Sequence, residues 1–380
     1  MTELYDAQAK NHLYAQQTRA TTNQYADKVR ELFATDAALE QEYHQLNGGK
    51  WNHFMSQPHI GYSNWNNPPE DTLPVIHVYE PHGSAEMGVA VEGIASAWPS
   101  GGNYQLGRFD PFGKQKRSLT IFNKGKESFT ATAQTSAPWI IISRTSIQVD
   151  TEAQLEVSID WSKLPKGEHS GRIQINGTGW GGASIGVKAF NPGIKASALK
   201  GKGFVEADGY IAIEAEHFQR QNTVALADGK KLRWEKIPEH GRTLSSISVY
   251  PITDQHFADA SQAPYVEYDI FTLSEGTLTV NGYFAPSWPM IPEHELRYAI
   301  AIDNEAPQIV NLTEDMSNPT WEETARSDLR VAHTTHQNIA AGAHKLRIYS
   351  LDPGVTLQKI VIDAGGLLPS YLGPEESRRF

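Results

Sequence analysis

The sequence predicts a mainly β protein with an N-terminal α-helical segment and two antiparallel β-sandwiches. Three observations carry that expectation. From Thr2 to Asn47 no glycine or proline occurs, and Tyr25, Val29, Leu32 and Phe33 recur at helical spacing. After Pro68 the period shortens to alternating runs of strand length. Gly, Pro and Asn punctuate those runs, and no β-α-β alternation appears, which argues against a barrel or a doubly wound sheet.

In the helical segment, placed at 1–70, Asp36 reads as the N-cap of a second helix carrying Leu39, Tyr43 and Leu46. Asn47-Gly48-Gly49 is expected to end it, since these residues tolerate the left-handed backbone past a helix end. Two helices bury too little to stand alone, so they are expected to pack on another domain or on a part absent from the chain. The strands expected next are 74–79, 88–94, 118–123, 129–134, 139–143, 154–161, 171–177 and 183–190. So many short strands with turns between them predict an immunoglobulin-like sandwich at 75–192. A Gly/Ala/Lys-rich connector, 191–203, leads to a second all-β set at 204–380. Its expected strands are 210–218, 244–252, 264–271, 276–284, 296–303, 307–312, 344–351 and 357–363. The last residues, GLLPSYLGPEESRRF, read as a tail over the surface.

Composition bounds the chemistry. The 380 residues contain no cysteine, which excludes disulfides and thiolate chemistry. Net charge is -11, and no dense basic cluster suggests nucleic acid as a partner. No run approaches the roughly 18 apolar residues of a membrane span. The N-terminus shows no basic stretch followed by an apolar core, so no export signal is expected within the chain. No phosphate-binding glycine loop and no G-x-S-x-G elbow is present. Nine Trp and 15 Tyr provide large faces with a polar handle, suited to cores and to sugars.

Glu214 and Glu216 lie two residues apart in an expected strand, which would put them on one face about 7 Å apart. Asp363 ends the last expected strand, and first and last strands often meet in a sandwich. The three carboxylates are candidate ligands for structural Ca²⁺, or else solvated acids on an edge strand. Paired acids also serve glycoside hydrolysis, but two on one strand do not flank a substrate. Trp234, Trp288 and Trp321 sit in expected turns of the last domain and are candidate sugar-stacking residues, or else core. The stretch 48–69 gathers Trp51, His53, His59, Tyr62 and Trp65, as an anchoring connector or a sugar-lining loop; its histidines lack zinc-site spacing. His294, His333, His336 and His344 add titratable groups to the last domain.

GGKWNHFMSQPHIGYSNWNNPP, IAIEAEHF, APYVEYDI, LRYAIAIDNEAPQIVNL, GAHKLRIYSLDPGVTLQKIVIDAGG and LPSYLGPEES together resemble the C-terminal part of glycoside hydrolase family 115, the xylan α-1,2-glucuronidases. The resemblance is weakest over 75–200. It implies longer relatives whose catalytic carboxylates lie in a (β/α)₈ barrel, to which no position here corresponds, so no catalytic residue is carried over. It also implies a galactose-binding or jelly-roll-like last domain, similar to carbohydrate-binding modules of families 6 and 35. In those modules a strand like IEAEHF and a terminal aspartate hold structural calcium, matching Glu214, Glu216 and Asp363. The expected function is that of a non-catalytic accessory region positioning glucuronoxylan, with a catalytic domain as partner and a homodimer as a further association. A free-standing carbohydrate-binding module and an independently active hydrolase are the alternatives. The family works outside the cytoplasm, so the parent enzyme is expected to be extracellular or periplasmic.

Overall fold

The computed structural model describes residues 1–62, 68–179, 181–289 and 294–380. Trp65, singled out above, lies outside them. The chain divides into two compact units. One comprises Met1–Gly107, Lys116–Lys163 and Ser170–Lys188; the other comprises Arg108–Gln115, Leu164–His169 and Ala189–Phe380.

The first unit opens with α1 (Thr2–Gln16) and α2 (Thr22–Gly49). The break falls at 17–21, where Thr18 has φ 53° and Ala20 N–H donates to the Asn123 carbonyl at 2.9 Å. Asp36 is therefore not a cap. It lies inside α2, where its carboxylate pairs with His59. Helical geometry is lost at Leu46–Gly48, with Asn47 and Gly48 at positive φ, as the Asn-Gly-Gly signal implies. Leu4, Ala7, Val29 and Ile60 form a buried cluster joined by Tyr25, Leu32, Phe33 and Ile76. Arg19 ties the helix pair to the sheet. It is buried, ion-pairs with Glu152 at 3.2 Å and lies over the rings of Tyr14 and Phe122.

The strand expected at 74–79 is extended chain outside any sheet. Helix side chains occupy its backbone groups instead. Asn11 bonds His77 N–H and C=O, Asn23 bonds Tyr79 N–H and C=O, and Gln8 and His12 reach the Val75 carbonyl. Among the described residues, nine strands follow: β1 (Met87–Val91), β2 (Ala97–Trp98), β3 (Lys116–Asn123), β4 (Phe129–Thr135), β5 (Ile140–Ile142), β6 (Ser146–Val149), β7 (Glu152–Ile159), β8 (Gly167–Asn176) and β9 (Ala183–Asn191). They form an antiparallel sheet ordered β2-β1-β3-β7-β5 and another ordered β6-β4-β8-β9. Burial alternates along β4, β7 and β9, because successive side chains point to opposite faces.

The second unit holds β10 (Phe204–Val205), β11 (Tyr210–Glu214), β12 (Arg220–Gln221), β13 (Val224–Ala225), β14 (Lys231–Ile237), β15 (Ser246–Tyr250), β16 (Tyr265–Thr272), β17 (Gly276–Phe284), β18 (Arg297–Ile302), β19 (Gln308–Asn311), then α3 (Asn318–Ser327), β20 (Arg330–Ile339), β21 (Gly342–Ser350) and β22 (Thr356–Asp363). One sheet runs β10-β16-β21-β18-β19 with β12 on β16; the other runs β13-β14-β15-β22-β17-β20 with β11 on β22. Pairing is antiparallel except for β10 with β16. Val266, Tyr268, Ile348 and Ile300 of one sheet and Trp234, Ile247, Val280 and Ile360 of the other share one buried core, so the two sheets face each other as a sandwich. β22 is central, with β15 and β11 on one edge and β17 on the other, and all but its last residue are buried. First and last long strands do meet, as expected. The tail runs along β10 and β11: Ser377 N–H donates to Ala212 C=O, Val205 N–H to Arg378 C=O, and Phe380 N–H to Gly203 C=O.

Candidate functional site

The strand reading of Glu214 and Glu216 does not hold. Tyr210–Glu214 is strand, but Ala215–His217 turns into a 3₁₀ segment, so the two carboxylates leave different backbone geometries. Glu214 is buried, receives Lys359 Nζ at 2.9 Å and accepts from Thr243 Oγ1 at 2.7 Å. Glu216 faces Lys236 Nζ at 2.7 Å. Asp363 pairs with Tyr210 while Lys359 pairs with Glu214, four residues or roughly 13 Å along the strand. Its carboxylate caps the N–H groups of Gly365, Gly366 and Leu367. These three acids do not converge, and the donor set does not fit a calcium ion. Lys359 supplies the positive charge that Glu214 needs.

Among the described residues, Asp36, His59 and Asp71 of the first unit form the one trio whose ligand atoms lie within 4.8 Å of one another. His59 Nε2 meets Asp36 at 2.6 Å, and Asp71 accepts the N–H groups of His59 and Ile60. Burial lowers the basicity of His59, but the Asp36 hydrogen bond and both carboxylate charges raise it above the ordinary value. Spacing could not reveal this trio, whose members are 12 to 35 residues apart. Trp51 packs edge-on against Phe54, His53 lies near His44, and Tyr62 bonds the Pro58 carbonyl.

The histidines of the second unit are dispersed. His336 is buried between Glu305 and Thr334, His344 bonds Asp303, and His294 stacks 3.9 Å from His256, whose Nδ1 meets Asp352. His333 sits exposed on β20.

The tryptophans separate. Trp234 lies within β14 rather than a turn, is 1% exposed and donates its indole N–H to the Pro264 carbonyl. It is core. Trp288 and Trp321 are 58% and 40% exposed, with ring centroids 5.2 Å apart at 45°. Trp288 stands on the loop after β17, between Pro286 and Pro289, which stiffen the backbone. Trp321 stands in the first turn of α3. Pro319 favours that helix start, and Asp315 braces it by accepting Ser317 N–H at 3.0 Å and the Thr320 hydroxyl. The Thr320 hydroxyl, then the Ser317 contacts, hold the Asp315 carboxyl down to about 2. Beside Trp321, Pro286, Ser287, Leu296, Met316, Thr324 and Arg330 line a small cavity. Pro286 and Ser287 also border an adjoining open cleft of about 750 Å³. That size falls within the roughly 300–1,000 Å³ of ligand clefts. Tilted indoles present apolar faces, and the neighbouring hydroxyl and guanidinium groups offer hydrogen bonds. This pairing of face and donor suits a pyranose ring, which is apolar on its faces and polar at its rim.

Residues 203–376 match the family model for the glycosyl hydrolase family 115 C-terminal domain. No curated protein matches the chain. Similar solved structures include a family GH115 4-O-methyl-α-glucuronidase, BtGH115A, with specificity for decorated arabinogalactans (15% identity, 40% of this chain, 17% of that one, TM-score 0.28). The chain thus spans less than a fifth of that enzyme. Two others are the C-terminal family 6 module of LamC, a marine laminarinase from Zobellia galactanivorans (16%, 40% and 98%, 0.25), and a family 35 module from Clostridium thermocellum (13%, 40% and 98%, 0.27).

Proposed function

We propose that the chain is a non-catalytic accessory region of a xylan α-glucuronidase and that its second unit holds glucuronoxylan on Trp288 and Trp321. The observation that carries this reading is the exposed indole pair, 5.2 Å apart, inside the stretch that matches the family 115 C-terminal model. Stacking supplies most of the affinity, and Ser287 and Arg330 orient the ring edges by hydrogen bonds. The first unit is an immunoglobulin-like sandwich and the second is jelly-roll-like. An N-terminal catalytic domain and a second copy of the chain are the protein partners, and the parent enzyme works outside the cytoplasm. No residue here is assigned a catalytic role.

Affinity electrophoresis in soluble 4-O-methylglucuronoxylan tests the reading. The chain should be retarded, Trp288→Ala and Trp321→Ala should each weaken retardation at least about tenfold, and the chain alone should release no glucuronic acid. Unretarded migration, or release of glucuronic acid, would overturn it.

A further inference from the structure

A third exposed aromatic face rims the same stretch of the second unit. Tyr371, in the tail after β22, is 71% exposed. A side chain so open to solvent ordinarily samples several rotamers, yet Arg242 covers one face of this ring and also anchors its backbone. The guanidinium lies 4.2 Å from the ring centroid, and Nη1 donates to the Tyr371 carbonyl at 2.5 Å. Arg242 is itself held, since Nη2 donates to the Ser327 carbonyl and its backbone N–H to Gln358 Oε1 at 2.8 Å. One face of the ring is therefore occupied and the other is presented already ordered, which lowers the entropic cost of stacking a ligand on it.

Open cleft extends from Tyr371 to residues that neighbour the tryptophans in sequence, Ser287 and Thr320. The cavity of about 750 Å³ runs from Pro286 and Ser287 past Tyr250 and Gln358 to Arg242 and Tyr371. A neighbouring cavity of about 600 Å³ shares Arg242, Ser327 and Tyr371 and extends to Thr320, Glu323 and Arg330. Arg330 and Ser287 also line the hollow beside Trp321. The lining carries both signs of charge: Arg242 and Arg330 against Glu239, Asp328 and Glu323. Such a surface has no strong net field, which suits the uncharged backbone of the polysaccharide rather than its acidic branches. It offers hydroxyl, amide and guanidinium groups from Tyr371 toward the loop and helix that carry the tryptophans, which matches a neutral polyol chain.

We propose that Tyr371 is a second stacking subsite. The cleft then binds several consecutive sugars of a neutral polysaccharide backbone, from Trp288 and Trp321 across Ser287 and Arg242 to Tyr371. This rests on the tryptophan pair being a sugar platform, and the experiment separates the two. Calorimetric titration of the full chain uses xylobiose and xylohexaose. The hexamer should bind at least about tenfold more tightly than the dimer, because only it reaches both ends. Tyr371→Ala should lower hexamer affinity about tenfold, leave dimer affinity unchanged and leave the melting temperature unchanged. Tyr371→Phe should retain hexamer affinity. Trp288→Ala should weaken both ligands. Equal affinity for dimer and hexamer, or a hexamer affinity indifferent to Tyr371→Ala, would overturn the second subsite while leaving the tryptophan platform intact. Absence of binding to either oligosaccharide would overturn both.

Discussion

Replacing Lys359 with methionine is the sharpest test of how the second sandwich handles its buried acid. The Lys359 ammonium sits 2.9 Å from Glu214 Oε1, and both side chains are nearly inaccessible, at 4% and 6%. Methionine fills a similar volume but removes the charge, leaving Glu214 with Thr243 as its remaining close donor. Breaking a buried ion pair from one side costs about 3–5 kcal/mol, mostly because the surviving charge is left uncompensated. For a domain of this size, each kcal/mol moves the melting temperature by about 2–4 °C. Lys359→Met should thus melt about 6–20 °C lower in scanning calorimetry or dye-binding melts. Glu214→Gln combined with Lys359→Met removes both charges and should recover most of the loss. Calcium chloride and EDTA should leave the unaltered chain unmoved, since Lys359 already occupies the place a cation would take. A Lys359→Met chain within about 1 kcal/mol of the parent would refute the reasoning. So would an EDTA-induced drop in the parent's melting temperature that calcium reverses.

Trp234→Ala should cost about 3–5 kcal/mol in urea unfolding, because it empties a core position, whereas Trp288→Ala should stay within about 0.5 kcal/mol and lose sugar binding instead. Burial, then the charge of Asp208, push the Asp110 carboxyl up to about 6, against the N–H groups it accepts. The folded chain therefore holds that proton more tightly than the unfolded chain. The stability it contributes is complete below about pH 4 and lost as pH rises through about 6, a change on the order of 3 kcal/mol that Asp110→Asn should abolish in denaturation curves taken from pH 4 to 7. His59 is raised by its carboxylate partners, so its contribution is present below its ordinary value near 6.5 and fades as pH climbs through the raised one. Proteolysis within 50–58, normalised to an unfolded control, should be slower at pH 6 than at pH 8.5, and equally fast at both in His59→Asn.

Where pattern and structure agree, the cause is local. Burial in β4 and β9 alternates with the period of the sequence, and Asn47-Gly48 takes the positive φ that such residues accept. Where they part, a distant residue decides. Residues 74–79 alternate like a strand, but Asn11 and Asn23 take the hydrogen bonds a neighbouring strand would need. β14 was hidden by its charges: Lys231, Arg233, Glu235 and Lys236 mask the inward Leu232 and Trp234. Glu214 and Glu216 part because one 3₁₀ turn begins at Ala215, a step too small for spacing to announce. Trp288 and Trp321 were legible as residue types suited to sugars. Their contact was not, because it joins a loop to a helix 33 positions away.

The placement of β22 has a consequence for synthesis. Its residues, 356–363, leave the ribosome after those of β11, β15 and β17, yet all three strands pair with it. Until β22 emerges, that sheet lacks its middle and three strand edges stand open. The second unit must therefore close only after β22 has been made, through contacts of long sequence separation that form slowly. A chain cut before Thr356 would lose the strand around which the sheet is assembled.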